Sequence, residues 1–453
     1  MVRQSFAVRS AVRATGLATL VIAGLAEPAG ATGFFVNQQS VKGLGRVGAG
    51  DAAVADELGT IYFNPAGLTE IWGDGLSKNR VALGGHLIVP HSDRRNAGST
   101  AATPGTLGTP APYAGGDLGN AVDPAFIPNF YWARELVPGR AAIGAGVNFP
   151  FGLSTAFPGD WFGRYDAIEA SLRTVNLTAV GAYRFDSGVS IGGGLDFQYA
   201  HSRLLSAIPN PLTPGGPTAA TDGRAETKGQ DWTPGFNLGI LVPLTGQTRI
   251  GVHYRSGMKH TLEGSTQVSG LTGPLAPFNG SVGAKGDLHL PAIGTVAVRH
   301  SFSPDLQLLA SLEWFDWSRF RELRIKFSDG SPDVVRTSNY RDAFALALGA
   351  EYRVSNQLSA RGGIRFDQTP TVNGFRDTTV PDAERLWLGV GATYRPGKES
   401  ALDFAYNHVF FRNADIAVTR TFFDGSPLAS TVNVTGRAKS SVNNLSVGYR
   451  HAF

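Results

Sequence analysis

The chain ends on the ten residues Asn444-Leu445-Ser446-Val447-Gly448-Tyr449-Arg450-His451-Ala452-Phe453, whose polarity alternates with a period of two. One set of alternate positions holds Leu445, Val447, Tyr449, His451 and Phe453, and the other holds Asn444, Ser446, Gly448, Arg450 and Ala452. Because successive side chains of a β-strand point to opposite faces, this pattern places one set against an apolar phase and the other against water. It predicts a strand in the wall of a β-barrel.

Both ends of the chain indicate export to the bacterial outer membrane. A last strand that ends in an aromatic residue resembles the carboxy-terminal signal of outer-membrane barrel proteins, which usually carry a larger aromatic residue at the position of His451. At the amino end, three arginines precede an apolar run at residues 17–26, and Ala29-Gly30-Ala31 supplies the small residues of a signal-peptidase site. We expect residues 1–31 to be a signal peptide. No later stretch reaches the roughly 20 apolar residues that a membrane-spanning helix needs.

The composition excludes several other classes of protein. Without residues 1–31 the chain has 37 basic and 35 acidic residues, so its charge gives no reason to expect nucleic-acid binding. Cysteine is absent, which excludes disulfides, thiolate metal sites and cysteine nucleophiles. The 58 glycines and 27 phenylalanines suit many strands and tight turns. We find no flexible linker between folded halves.

Fourteen segments, an even number, have the patterning of strands. They lie at residues 79–90, 126–135, 140–153, 171–186, 188–205, 229–243, 247–266, 283–301, 306–328, 339–353, 357–367, 384–395, 400–412 and 441–453. The connections alternate strictly between short turns such as Val137-Pro138-Gly139 and long loops such as those at 92–124, 206–228 and 413–440. Outer-membrane barrels have short periplasmic turns and long external loops. The sequence therefore predicts an all-β, 14-stranded antiparallel transmembrane β-barrel.

Alternation within the strands predicts which side chains face the lumen. Leu386, Leu388 and Val390 would face lipid, whereas Arg385 and Trp387 would point inward. The same argument turns Arg365 and Glu351 into the lumen. The ordinary explanation of such charges is hydration or an ion pair.

Residues 32–78 precede the first strand and do not resemble a barrel strand. Gly50 to Leu58 has the pattern of a short helix, and Asn64-Pro65-Ala66 that of a helix start, because Asn caps free amides and Pro has no donor to leave unpaired. This segment either plugs the barrel as a small helical hatch or hangs in the periplasm. We divide the chain into a signal peptide at 1–31, a hatch at 32–78 and a barrel at 79–453.

Several short motifs have weak support for chemistry. Gly43-Leu44-Gly45-Arg46-Val47-Gly48 matches GxGxxG, but no strand-helix-strand unit surrounds it, so glycines for a compact hatch are the better explanation. The nine histidines have no metal-ligand spacing. His201-Ser202 and Asn407-His408 are adjacent pairs, and neighbours in a strand point to opposite faces, so a lipase site is not indicated. We predict no enzyme activity, no metal and no cofactor.

The third strand contains an unusual stretch, Phe149-Pro150-Phe151-Gly152. Pro150 cannot donate to a strand ladder and Gly152 weakens the strand further. One interpretation is an ordinary strand end that enters a loop. The other is a break in the barrel wall.

These motifs together resemble the FadL/TodX family of outer-membrane transporters for hydrophobic compounds. The segments that carry the resemblance are Gln38-Gln39-Ser40, Gly43 to Arg46, Ala52 to Asp56, Asn64 to Leu68, Pro150 to Leu153, Gly163-Arg164-Tyr165, Tyr254-Arg255-Ser256, Glu313-Trp314, Asp316 to Phe320 and Pro381-Asp382 with Arg385. They cover nearly the whole mature chain in preserved order. The resemblance implies a hatch-plugged barrel whose third strand is kinked inward, and passive transport of long-chain fatty acids or, in another branch, of monoaromatic hydrocarbons.

The resemblance also assigns tentative roles to particular residues. Phe149, Pro150 and Gly152 map to the kink and lateral opening, and Asn64, Pro65 and Ala66 to a hatch motif packed near it. A fatty acid adds a carboxylate, which is costly to desolvate unless a cation meets it. Candidate cations are Arg164, Arg365 and Arg385, and candidate pocket-lining residues are Phe151 and Trp387.

We therefore expect a monomer in the outer membrane, in contact with membrane lipid and lipopolysaccharide, that takes up long-chain fatty acids. An aromatic hydrocarbon as the transported compound is the alternative. A water-filled porin, a barrel lipase and an adhesin with a scaffold barrel are alternatives of other classes.

Overall fold

A computed structural model describes residues 33–72, 78–120 and 122–453. The signal peptide expected at residues 1–31 lies outside the described residues, as do residues 73–77 near the end of the predicted hatch. None of the helices in the described part of the chain is long and apolar enough to cross a membrane.

Fourteen strands form the wall, and several of them are interrupted. Their bounds are β1 Asn79–Asn96, β2 Ala125–Val137, β3 Ala141–Asn148 and Gly152–Ala156, β4 Glu169–Arg184, β5 Ser190–Ile208, β6 Gly223–Pro243, β7 Thr248–Arg255 and Met258–Ser269, β8 Gly280–Leu290 and Ile293–Ser301, β9 Leu306–Phe315 and Glu322–Phe327, β10 Val334–Thr337 and Ala343–Arg353, β11 Leu358–Asp367, β12 Arg385–Tyr394, β13 Ser400–Phe411 and Ala414–Phe422, and β14 Ser430–Ala452.

The wall closes on itself. Each strand pairs antiparallel with the next along the chain. The last strand, β14, pairs with β1 from Ala452 opposite Arg80 to Gly436 opposite Asn96. Closure leaves no free sheet edge, which a bilayer requires because it offers no hydrogen bonds to unpaired backbone groups. The predicted 14-stranded antiparallel barrel is confirmed.

The two faces of the wall separate as the alternation predicts. Along β12, Leu386, Leu388 and Val390 are exposed on the outer surface, while Arg385 and Trp387 are buried in the interior. The last ten residues of β14 behave in the same way, since Leu445, Val447 and Tyr449 are exposed and the alternate positions are buried or half-buried.

The strands extend further on the loop side than their sequence patterns suggest. β14 begins at Ser430 rather than at residue 441, and its outer part pairs with Ala414–Phe422 of β13. Val432 and Val434 are fully buried there. The stretch predicted as a loop at 413–440 is therefore largely a hairpin that projects above the barrel, since β-branched residues on its inner face can be buried by neighbouring loops.

Residues 33–72, called the hatch below, lie inside the barrel. They form three four-residue helices, α1 Val41–Leu44, α2 Asp51–Val54 and α3 Thr60–Phe63, and the 3₁₀-helix Pro65–Glu70. The helix expected over residues 50–58 stops at Val54, because Ala55 adopts a left-handed backbone with φ of 49°. Helices this short depend on tertiary packing, which the enclosing wall provides.

Glycines on the inner wall make room for the hatch. A Cβ atom at Gly192 of β5 would lie 2.4 Å from the backbone nitrogen of Ala66, and one at Gly239 of β6 would lie 2.0 Å from Oδ1 of Asn64. Both distances are shorter than van der Waals contact, so a side chain at either position would push the hatch away. Gly251 of β7, Gly363 of β11 and Gly391 of β12 meet the hatch backbone in the same way.

Candidate functional site

The wall is broken at the third strand. The β2–β3 ladder runs from Val137 opposite Ala141 to Phe130 opposite Val147 and stops there. The outer segment of β3, Gly152–Ala156, pairs with β4 alone among the described strands. Pro150 has no N–H to continue the ladder, which explains the position of the break. The outer half of β2 and the outer segment of β3 are therefore not paired with each other.

The hatch takes over the hydrogen bonds that the broken strand loses. The amide of Val36 donates to the carbonyl oxygen of Pro150 at 2.9 Å, and the amide of Gly152 donates to that of Phe34 at 3.0 Å. Phe35 and Phe151 form an isolated antiparallel bridge between these two bonds. Among the described residues, the backbone groups of this stretch find their partners in the hatch and in β4, which hold it in place.

Asn64 fixes the next part of the hatch to the wall. Its Oδ1 accepts from the amide of Ala66 at 3.2 Å, which caps the 3₁₀-helix as the sequence predicts. Its Nδ2 donates to the carbonyl oxygens of Ala52 at 2.7 Å and Ile240 of β6 at 3.1 Å. The structure thus places the Asn64-Pro65-Ala66 motif against β5 and β6, towards the ends of those strands that are joined by short turns.

An apolar space, here called the lumenal cavity, lies beside the hatch and measures about 100 Å³. Its apolar lining comes from the hatch, from five strands, from the links within β9 and β10 and from the loop between β11 and β12. It includes Phe34, Leu153, Leu172, Leu204, Leu262, Leu288, Phe320, Tyr340 and Val380. Arg203 and Arg336 add positive charge to the lining. Phe34 anchors the cavity floor through edge contacts with Trp317 and Phe320, with ring centroids 4.7 and 5.5 Å apart.

A second space, here called the opening cavity, lies beside the outer segment of β3 and measures about 70 Å³. It is bounded by the outer half of β1, by β14 and by the outer segment of β3, with Arg94, Leu153, Thr155, Val380 and Phe411 in its lining. Leu153, Thr379 and Val380 line both cavities. The two spaces are therefore neighbours, and a few small or apolar side chains separate them.

The predicted candidate cations all have partners within the protein. Arg365 of β11 donates from Nη2 to Glu313 of β9 at 2.6 Å, and Arg385 of β12 is paired with Asp382. Arg164 is fully buried in the loop after β3, where its Nε donates to Asp222 at 2.9 Å. None of these three arginines lines the lumenal or the opening cavity. The structure gives them contacts that join strands and loops, and their role toward a ligand stays a prediction.

The predicted pocket-lining residues lie next to the break but outside both linings. Trp387 donates from Nε1 to Asp367 at 2.9 Å and belongs to an apolar cluster with Phe149 and Val36. Phe151 packs on Phe35 with ring centroids 5.6 Å apart. These contacts fasten the hatch to the kinked strand.

Loop carboxylates near the cavities are held in networks of their own. Asp166 accepts from Arg420 at 2.6 Å and from the amide of Thr378 at 2.7 Å. Burial alone would raise the pKa of Asp166, but Arg420 and Arg336 together hold it below its ordinary value. Asp377 is different, because burial, and then the nearby charge of Asp166, raise its pKa.

A sequence model of the family described as outer membrane protein transport protein (OMPP1/FadL/TodX) matches residues 22–453. The chain belongs to this family. The FadL/TodX family consists of outer-membrane transport proteins rather than enzymes, so the chain is an outer-membrane transport protein for hydrophobic compounds, in the location that its two ends predict.

Individual FadL/TodX relatives match along most of their length. The long-chain fatty acid transport protein of Escherichia coli O6:H1 is 27% identical over 416 residues, which are 86% of this chain and 89% of the relative. Outer membrane protein P1 of Haemophilus influenzae is 26% identical and covers 93% and 95% of the two chains. Among solved structures, a Pseudomonas aeruginosa FadL homologue superposes with a TM-score of 0.79 at 24% identity over 93% of this chain and 100% of its own. The Pseudomonas putida toluene transporter TodX superposes with a TM-score of 0.65 at 17% identity, over 93% and 100%.

Sequence reasoning within the FadL/TodX framework missed the cations that line the cavities. Arg94 and Arg336 fall in stretches predicted as loops, at 92–124 and 329–338, and Arg203 lies near the outer end of β5. None of the three stands in a recognisable motif. Only the pairing of distant strands brings them beside the apolar residues of the cavities.

Proposed function

We propose that the protein takes up long-chain fatty acids by passive diffusion through the hatch-plugged barrel and the opening at β3. The observation that carries this proposal is the break at Phe149 to Gly152. There the backbone of the strand forms hydrogen bonds with the hatch instead of with β2. A ligand in the lumenal cavity would move past Leu153 into the opening cavity and then sideways through the wall. No energy source is needed, because the ligand moves down its own gradient.

The lining of the lumenal cavity supports an apolar ligand. Each methylene group that leaves water contributes about 0.8 kcal/mol. A fatty chain therefore gains binding energy against Leu172, Leu204 and Leu262, which it cannot gain in the hydrated outer leaflet. Release in turn requires that the hatch or the loops shift, since a tight pocket would hold the ligand.

Two observations favour a fatty acid over an aromatic hydrocarbon. Arg203 and Arg336 line the lumenal cavity, although Arg203 also pairs with Glu169 and Glu226 and Arg336 with Asp166. A cation at an apolar pocket offsets the several kcal/mol that desolvating a carboxylate costs. The relatives in Escherichia coli and Salmonella typhi that match most of the chain carry the name long-chain fatty acid transport protein. A monoaromatic hydrocarbon is the second candidate, favoured by the aromatic lining of Phe34, Phe320 and Tyr340 and by the fold shared with TodX.

Uptake measurements distinguish the two ligands. The protein is produced in a Gram-negative host that lacks its own transporter of this family, and entry of labelled oleate and labelled toluene is followed with and without the other compound. We expect saturable oleate entry that toluene does not reduce. Saturable toluene entry without oleate entry would favour the second candidate, and entry of neither compound would contradict the proposed function.

A further inference from the structure

Arg94 is a buried arginine without a hydrogen bond to its guanidinium group. It lies in the outer half of β1 and is 2% exposed. Neither Nε nor Nη1 has a hydrogen-bond partner among the described residues. Its contact is with the ring of Phe157, whose centroid is 4.5 Å from the guanidinium carbon. A cation over an aromatic face is attracted to it, but the ring satisfies none of the N–H groups.

Three other buried arginines of the lumen and loops differ from Arg94 in having carboxylate partners. Arg164, Arg365 and Arg385 each have a carboxylate oxygen within salt-bridge distance. The acids in the surroundings of Arg94 are committed elsewhere. Asp382 pairs with Arg385, and one oxygen of Asp377 accepts from the amides of Thr379 at 3.0 Å and Val380 at 2.9 Å. A charge that is buried and unpaired is costly, so its retention indicates a partner that arrives from outside.

The guanidinium group borders a space that can receive such a partner. Arg94 lines the opening cavity together with Thr155 of the outer β3 segment. The hydroxyl of Thr155 is also buried without a hydrogen-bond partner among the described residues. Two unsatisfied polar groups, one on β1 and one on the outer segment of β3, thus face one cavity whose remaining lining includes Leu153, Val380, Phe411 and the carboxylate of Asp382. This combination fits an anionic head group with an apolar tail.

We propose that the opening cavity is a transit site in which Arg94 binds the carboxylate of a permeating long-chain amphiphile, with the hydroxyl of Thr155 as a second donor. The tail lies along Leu153 and Val380, which also line the lumenal cavity, so the head group leads and the tail follows from one cavity to the next. The site selects carboxylates over neutral hydrocarbons of the same length at the wall opening. This inference rests on the proposed function for the route by which the ligand arrives.

The test compares Arg94→Met with a neighbouring control. Arg95, the next residue, is exposed on the opposite face of β1, so Arg95→Met removes the same charge outside the cavity. Uptake of oleate and of oleyl alcohol, which shares the tail but has no carboxylate, is measured for both variants. We expect Arg94→Met to lower oleate uptake about tenfold and to leave oleyl alcohol uptake unchanged. Arg95→Met should leave both unchanged.

Two further measurements separate a binding role from a structural one. Because Met replaces an unpaired cation among apolar groups, the thermal unfolding midpoint of Arg94→Met should equal or exceed that of the wild type. Arg94→Lys should restore part of the oleate uptake, since it returns the charge without the forked geometry. Unchanged oleate uptake in Arg94→Met, or equal losses for oleate and oleyl alcohol, would overturn the inference.

A direct binding measurement tests the carboxylate site separately from the proposed uptake of fatty acids. Purified wild-type protein and Arg94→Met are titrated with a fluorescent fatty acid, which is then displaced with oleate. Weaker displacement by oleate in the variant supports the carboxylate site even if cells producing the wild type take up no oleate. Equal displacement in the two proteins overturns it even if uptake is normal.

Discussion

At the scale of single residues, glycines, which have no side chain, shape the inner wall. The lumenal glycines let the hatch backbone approach the strands at distances that no other residue permits. Gly251 of β7 is the tightest case, because a Cβ atom there would lie 1.8 Å from the carbonyl oxygen of Ala52. A backbone atom cannot move aside as the end of a flexible side chain can.

Gly251→Ala should therefore displace the hatch. We expect it to lower the free energy of unfolding by about 1–3 kcal/mol, the range seen for overpacked interiors, and to increase cleavage of the hatch by added protease. Gly181→Ala is the matched control, since Gly181 has open space around its Cβ position. Equal protease resistance in the two variants would contradict the tight fit of the hatch.

Asp377 gives a prediction on pH. Burial, then the charge of Asp166, raise its pKa in the folded protein above the ordinary value of an aspartate. The folded state therefore binds this proton more tightly than the unfolded state, and the stability so gained is lost as pH rises through the folded pKa. We expect the unfolding midpoint of wild type to fall relative to that of Asp377→Asn as pH rises from about 4 to 7. A constant difference between the two midpoints would count against this assignment.

At the scale of elements, β3 combines two structural roles in one strand. Its inner segment belongs to the wall and its outer segment, Gly152–Ala156, pairs only with β4 among the described strands. The chain between them forms hydrogen bonds with the hatch. The β2–β3 ladder ends shortly before Pro150, which has no N–H with which to extend it.

Replacing Pro150 and Gly152 by Val should extend the β2–β3 ladder and close the opening. Valine supplies the missing N–H and favours strand geometry, so the barrel should fold while oleate uptake falls by about tenfold or more. Uptake is measured beside the amount of folded protein in the outer membrane. Pro396→Val, in the exposed turn between β12 and β13, controls for loss of a proline elsewhere. Normal uptake in the folded double variant would exclude the opening as the route.

The strands were the part of the fold that the sequence predicted best. Alternating polarity identifies each of the fourteen strands, and the alternation of turn lengths gives their orientation, because both are local patterns. The outer extension of β14 was missed, because its many polar residues are typical of a loop. In the structure, neighbouring loops bury Val432 and Val434 on its inner face. Pro150 marked the break, but sequence could not reveal that Val36 donates a hydrogen bond to Pro150 or that Phe34 accepts one from Gly152.

At the scale of the whole molecule, the contacts between hatch and wall decide which side chains remain available to a ligand. Arg365 meets Glu313, which is 52 residues away along the chain, because β9, β10 and β11 are neighbours in the wall. Such ion pairing depends on the register of the strands, and no local sequence pattern predicts it. For this reason the sequence suggested three arginines that the structure pairs internally and overlooked Arg94.

The seated hatch predicts the electrical behaviour of the barrel. Lys42 and Arg46 of the hatch both form ion pairs with Glu351 of β10, so the plug is held by charge as well as by packing. In planar bilayers the intact protein should carry almost no steady current, whereas deletion of residues 33–72 should give steady conductance. Steady conductance of the intact protein would indicate a water-filled pore and contradict the plugged lumen.

The bonds between the hatch and β3 also constrain the order of events in biogenesis. The hatch lies before β1 in the chain, while β14, the strand that completes the wall, is synthesised last. Once Ala452 pairs with Arg80, the ring is closed around some forty residues that are hydrogen-bonded to its inner surface. We therefore expect assembly to seat the amino-terminal segment before the final seam forms, so that the wall is built around the plug instead of the plug being inserted into a finished pore.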